Sequence, residues 1–282
     1  MSFAAYEVSY DQGEPILLFA FTVGLATFYY TTADRPITYL GAVYTPAPIS
    51  RAAIKLGAEV KQQTLKVTGP RDLGVAQLYV AEPPSVPVAL TITAMHFTDP
   101  ALQGQVDWVG RVMSCKWTGS QCELSCEPVF TSVQTLGLRR RYQIACAHVL
   151  YGLQCGLNPA SYAVPGTLTV ISGYNITATA WVSPPAAGLT FIGGFVTFDN
   201  GSYIDRRTIN SIASGGVLTL DNILPGLVVG SQVIAYPGCN RSMTNCQAFQ
   251  ASPNSSPNGN ILNYGGQPYI PSRNPMNGDP VY

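Results

Sequence analysis

Ile16–Tyr30, ILLFAFTVGLATFYY, is the most apolar stretch of the chain, and its reading decides the fold class. A membrane-spanning helix needs ~20 apolar residues, more than this stretch supplies. It is rich in Phe, Thr, Val and Tyr and interrupted at Gly24, which suits two buried strands joined by a turn. The same signature recurs along the first half. Short apolar or alternating runs bounded by Gly, Pro, Asn and Asp cover Ile37–Leu40, Ala42–Tyr44, Thr64–Thr68, Val88–Phe97, Val106–Val112, Met113–Trp117 and Cys122–Glu127. The last two flank Thr118-Gly119-Ser120, a short hairpin turn. Helical periodicity is confined to Arg71–Val80, after Pro70, and Gln143–Leu150. The expected fold class is mainly β.

A change of strand spacing and the basic run Arg139-Arg140-Arg141 place a domain boundary near residues 134–142, giving domains 1–134 and 135–282. Within the second, residues 156–238 read as an inserted β module with strands at Gly166–Ser172, Thr177–Trp181, Gly194–Phe198, Val217–Leu220 and Ser231–Ala235. Asn200-Gly201, between Phe198 and Tyr203, marks a hairpin. From Ala251 to the C-terminus Pro, Asn, Gly and Ser dominate, yet Ile261, Leu262, Tyr264, Tyr269 and Ile270 remain as apolar anchors. That tail, 251–282, is expected to run extended over a protein surface.

Charge is scarce. Charged residues are 11% of the 282, against roughly 25% in ordinary soluble domains, and the formal net charge is zero. No global field draws such a chain to nucleic acid or to an anionic membrane, and sequence-specific nucleic-acid binding and stable membrane insertion are not expected. A subunit that buries its surface against neighbours can dispense with charge. The first fourteen residues carry Glu7, Asp11 and Glu14 with no Lys or Arg, the reverse of a secretory n-region, so the expectation is assembly in a cytoplasm with reduced cysteines. The four Asn-x-Ser/Thr sequons, at Asn175, Asn200, Asn240 and Asn254, then carry no glycan.

Seven cysteines need an explanation in that setting. Cys115, Cys122 and Cys126 sit in or beside the predicted hairpin and read as small buried hydrophobes. Cys146 and Cys155 are separated by eight intervening residues, Cys239 and Cys246 by six, each pair in turn-rich sequence, CAHVLYGLQC and CNRSMTNC. A β module whose ends meet would set the two pairs side by side. Four convergent thiolates suit tetrahedral zinc or an iron–sulfur cluster, and the spacing matches neither zinc ribbons nor ferredoxin runs. Two disulfides are the other structural reading and need an oxidising compartment.

Three segments carry a resemblance. Arg141-Tyr-Gln-Ile-Ala-Cys-Ala-His-Val-Leu-Tyr-Gly-Leu-Gln-Cys155, Gly238-Cys-Asn-Arg-Ser-Met-Thr-Asn-Cys-Gln-Ala-Phe249 and Asn263-Tyr-Gly-Gly-Gln-Pro-Tyr-Ile-Pro271 resemble the C-terminal part of a phage tail-tip or baseplate hub family. The family includes the tail-tip protein of phage lambda and the cysteine-bearing hub protein of gene transfer agents. Tyr30 through Arg51 looks like the same family's N-terminal domain. The resemblance implies a β-rich hub domain beneath the tail tube, followed by a small domain holding an iron–sulfur cluster, of the 4Fe-4S kind, on Cys146, Cys155, Cys239 and Cys246. It implies a virion location at the tail tip of a long-tailed phage. It also implies a homotrimer between six-fold tube and three-fold fibre, with the distal tail protein, the central fibre or tip protein and other tail-tip subunits as partners. The long insert between the cysteine pairs resembles the gene-transfer-agent members.

His148, between the first two cysteines, reads as an outer hydrogen-bond donor rather than a fifth ligand, and His96 as a strand residue. Arg139–Arg141 could balance a cluster's negative charge, face a DNA channel or cover a surface. An enzyme is not expected: there is no nucleophile elbow, phosphate-cradling glycine loop, zinc-protease helix or dinucleotide fingerprint, and only two histidines are present. The competing readings are a β-rich adhesion protein held by zinc and an iron–sulfur redox enzyme.

Overall fold

A computed structural model describes residues 3–11, 13–54, 64–134, 142–249 and 259–270. The fold is mainly β, in two compact units: Met1–Thr135 with Asp199–Asp205, and Leu136–Phe198 with Arg206–Tyr282. The basic run Arg139–Arg141 and most of the expected boundary lie outside the described residues.

The first unit opens with α1 (Phe3–Glu7) and continues through β1 (Pro15–Val23), β2 (Ala26–Thr31), β3 (Ile37–Tyr39), β4 (Ala42–Pro46), β5 (Ser50–Arg51), β6 (Leu65–Pro70), α2 (Gly74–Gln77), β7 (Val88–His96), β8 (Gln105–Thr118) and β9 (Gln121–Pro128). Its strands form one nine-stranded sheet in the order β3-β4-β2-β1-β7-β8-β9-β6-β5. The apolar run Ile16–Val23 lies near the middle, as β1, and is covered on both faces. Phe19, Phe21 and Val23 join one core cluster with Leu65, Val67, Leu90, Ile92 and Leu124. Ile16 and Leu18 join another with Ile37, Tyr44 and Met95. Successive strand residues point to opposite faces, so a strand buried on both sides must be continuously apolar. Burying each large side chain contributes about 1.5–3 kcal/mol. The β1–β2 turn is the two residues Gly24-Leu25, and Gly24 supplies the positive φ of 57° that such a tight hairpin needs.

Two sequence expectations shift here. Val106–Val112 and Met113–Trp117 are one strand, β8, in which a register shift against β9 between Val112 and Ser114 changes the phase of alternation. The helix expected over Arg71–Val80 contracts to the single turn α2.

The second unit contains β10 (Val164–Thr167), β11 (Val170–Ser172), β12 (Asn175–Thr177), β13 (Thr190–Asp199), β14 (Ile204–Ala213), β15 (Val217–Leu220), β16 (Gln232–Gly238) and α3 (Met243–Ala248). Its seven-stranded sheet runs β10-β16-β13-β14-β15-β12-β11. Gly166–Ser172 divides into β10 and β11. Thr177–Trp181, expected as a strand, leaves the sheet after Thr177 as a 3-10 turn over Thr179–Trp181. That turn drops the fully buried Trp181 into the core, where its indole N–H donates to the Val164 carbonyl at 3.1 Å above Gly166. Strand β14 is absent from the sequence reading because an inward position carries Arg207, whose Nε donates to the Ile223 carbonyl at 3.2 Å. Gln143–Leu150 is irregular rather than helical.

Candidate metal centre

The pairing of β10 with β16 builds the site. These strands, the first and last of the insert, run antiparallel with Val164 opposite Ala235 and Thr167 opposite Gln232. The chain enters β10 from Cys155 through Gly156, Leu157 and a 3-10 turn over Pro159–Tyr162, and it leaves β16 at Gly238 directly into Cys239. Adjacent strands thus deliver the two cysteine loops to the same end of the sheet. The Cys146 N–H donates to the Arg241 carbonyl at 2.9 Å and ties the loops together. Arg241 turns the second loop with a φ of 63°, and Ser242 then caps α3, its hydroxyl accepting from the Asn245 N–H at 3.1 Å. Cys246 rides on that helix.

Cys146, Cys155, Cys239 and Cys246 together line a cavity of ≈ 100 Å³, with His148, Arg241, Phe249, Asn260 and Asn263 among its other walls. Leu157, Tyr162, Leu189 and Phe249 pack behind Cys155. All four thiols are free; Cys146, Cys155 and Cys246 are buried and Cys239 is partly exposed. Three of the sulfurs receive N–H groups: Gly265 N–H to Cys146 Sγ at 3.3 Å, Arg241 N–H to Cys239 Sγ at 3.3 Å, and Asn260 Nδ2 to Cys155 Sγ at 3.8 Å. The Cys246 thiol instead donates to the Asn260 carbonyl at 3.3 Å.

Burial and then the charges of its three companions push the Cys246 thiol up to about 12; burial also raises Cys239, against the Arg241 N–H that lowers it, with Cys155 and Cys146 adding to the rise. Thiols so placed cannot all ionise unless a cation compensates them. The donor set, soft sulfur without carboxylate, suits a thiophilic metal group. Among the described residues no three His, Cys, Asp or Glu side chains stand close enough to grasp one ion. Zinc and an iron–sulfur cluster both take four cysteine sulfurs, and the four thiols that line this cavity fit the donor set of either.

His148 reaches away from a ligand role: its Nδ1 donates to the Asn263 carbonyl at 2.9 Å, fastening the C-terminal segment. Asn260, Asn263 and Gly265 were not singled out for chemistry by their sequence. Residues 259–270 of the tail, expected to run extended over a protein surface, fold back onto this site, with Tyr264 Oη donating to the Ile144 carbonyl at 2.8 Å and the Gln267 N–H to the Gln143 carbonyl at 2.9 Å. Cys122 and Cys126 lie fully buried in the core of the first sheet and Cys115 is partly covered. His96 ends β7, where its ring lies between Phe3 and Tyr6 with Nε2 3.2 Å from Glu7 Oε1.

Two family models match the chain. Residues 19–158 match the family model described as baseplate hub protein, N-terminal attachment domain, and residues 189–274 match that of the phage conserved hypothetical protein BR0599. An uncharacterized protein of Xylella fastidiosa (strain 9a5c) is 31% identical over 186 residues, 59% of this chain. The chain spans 37% of that curated relative's length. A chain in the virion of a native gene transfer agent particle shares the fold, with a TM-score of 0.76 and 18% identity over 99% of this chain and 96% of that one. Among the described residues no helix is long and apolar enough to cross a membrane.

Proposed function

We propose, for a chain that belongs to the phage baseplate hub proteins, a structural and non-enzymatic role in the tail tip of a virion. There it joins the tail tube and distal tail protein to the central fibre or tip protein as a ring of three copies, stabilised by an iron–sulfur cluster. The match to an N-terminal attachment domain and the shared fold with a virion chain support the location. Low charge supports assembly, as do the exposed apolar residues Val109 and Met113 on β8 and Val129 and Phe130 after β9. One observation carries the cofactor reading: four cysteines from two loops distant in sequence line a single cavity. A metal group there cross-links the ends of the insert, and its binding free energy becomes folding free energy.

Protein purified without oxygen should be brown and contain iron and sulfide. Ser at Cys146, Cys155, Cys239 or Cys246 should bleach it, and Ser at Cys115, Cys122 or Cys126 should leave the colour. Stoichiometric zinc without iron, from iron-replete cells, would replace the cluster with a four-thiolate zinc site. In reconstructed particles the chain should appear as three copies at the tail tip. Six copies, or absence from the particle, would overturn the hub role.

A further inference from the structure

We propose that residues 259–270 form a strap that closes the cysteine cavity and is ordered by its occupancy, with Asn260 as the positioning residue that ties the strap to both cysteine pairs. The inference rests on the metal-binding reading above and goes beyond it to the regulation of that site. Asn260 is 4% exposed, a buried amide at the wall of the cavity. Each of its polar groups is engaged. Its side-chain Nδ2 donates to the Cys155 carbonyl at 2.9 Å and faces Cys155 Sγ, while its Oδ1 accepts from Asn263 Nδ2 at 2.8 Å. Its backbone N–H donates to the Cys246 carbonyl at 3.2 Å; its own carbonyl accepts from the Cys246 thiol only while that thiol keeps its proton, a bond that metal binding replaces. A buried amide costs stability unless it finds hydrogen-bond partners. Here they are the second cysteine of each pair.

The rest of the strap is fitted to the same purpose. Gly265 places its N–H on Cys146 Sγ, and a Cβ there would lie 2.4 Å from His148 Nε2. A Cβ on Gly266 would lie 2.3 Å from the Ile144 carbonyl oxygen, and one on Gly259, at φ +66°, 2.0 Å from that of Gln247. Glycine at these positions lets the strap backbone press onto both loops. N–H donors to thiolates hold ligands in place and tune the metal group. Coupling is reciprocal, so a metal group that fixes the sulfurs also fixes the strap, and the strap slows the metal's departure.

The test is hydrogen–deuterium exchange on the full chain, purified without oxygen, before and after stripping with an iron chelator, together with Asn260→Asp. The substitution keeps the shape of the side chain and replaces the donor facing Cys155 with an acceptor. Stripping should raise exchange in 259–270 and leave β1–β9 unchanged. Asn260→Asp should release metal to chelator about ten-fold faster or more, with the reduction potential of the remaining cluster moved to a more negative value. Gly265→Ala is the second variant and should accelerate release in the same way. Unchanged exchange in 259–270 on stripping overturns the strap while leaving the metal site intact. Wild-type protein that holds no metal of any kind overturns the metal-binding reading and the strap with it.

Discussion

Cys126 and Cys246 are the same residue type in two settings, and the difference is electrostatic. Burial alone pushes the Cys126 thiol up to about 12, and its Sγ lies 3.8 Å from the Leu124 carbonyl within the first core. For Cys246 burial is joined by three other cysteines. A thiol whose folded-state value lies above its ordinary value near 9 contributes stability that is complete below that value and lost as pH rises toward about 12. Metal-free protein should therefore have a lower denaturant midpoint at pH ~10.5 than at ~8. Cys126→Ala, less stable at the lower pH, should lose less between the two. At this scale the cysteines drew notice because seven of them, four in two turn-rich pairs, demand an explanation. Asn260 and Gly265 were not, since an amide donor has no spacing signature and acquires its role only when the chain folds back.

The second sheet shows which elements a sequence conceals. Strands β1, β7 and β9 announce themselves because apolar residues fill their inward positions. Strand β14 does not, because Arg207 occupies one of its inward positions. Helix α3, short and begun by the Ser242 cap, has no counterpart in the sequence reading. Gly166 offers a test of what these elements do for the metal centre. A Cβ there would meet the Trp181 indole at 2.8 Å, on the strand whose pairing with β16 brings the loops together. Gly166→Ala should cost about 1–3 kcal/mol by overpacking, with weaker metal retention in the same sample. Gly119→Ala, at the β8–β9 turn with a φ of 59° and open space around it, should cost about 1–2 kcal/mol and leave metal retention unchanged. Thermal melts and iron content on the two variants separate these outcomes.

At the scale of the whole molecule, each unit has its own core, and the described cysteines of the metal centre all belong to the second. Ligand binding stabilises only the cooperative unit that binds. Scanning calorimetry should show two transitions, of which chelation lowers one and leaves the other in place. A single transition that moves as a whole would show that the units unfold together. A boundary near residues 134–142 was expected from the change of strand spacing and the basic run there. The assignment of Asp199–Asp205 to the first unit was not, because it depends on three-dimensional contacts that local pattern does not encode.

The pairing of β10 with β16 also sets an order in time. Cys239 and Cys246 leave the ribosome only after β10 to β16 have been made, and Asn260 later still. Contacts between residues so far apart in the chain form slowly. Cys146 and Cys155 therefore wait as exposed thiols through the synthesis of the whole insert, open to oxidation during that interval. On the proposed reading, loading of the cluster is a step after translation, and its yield would depend on the redox state and iron supply of the cell while the waiting lasts.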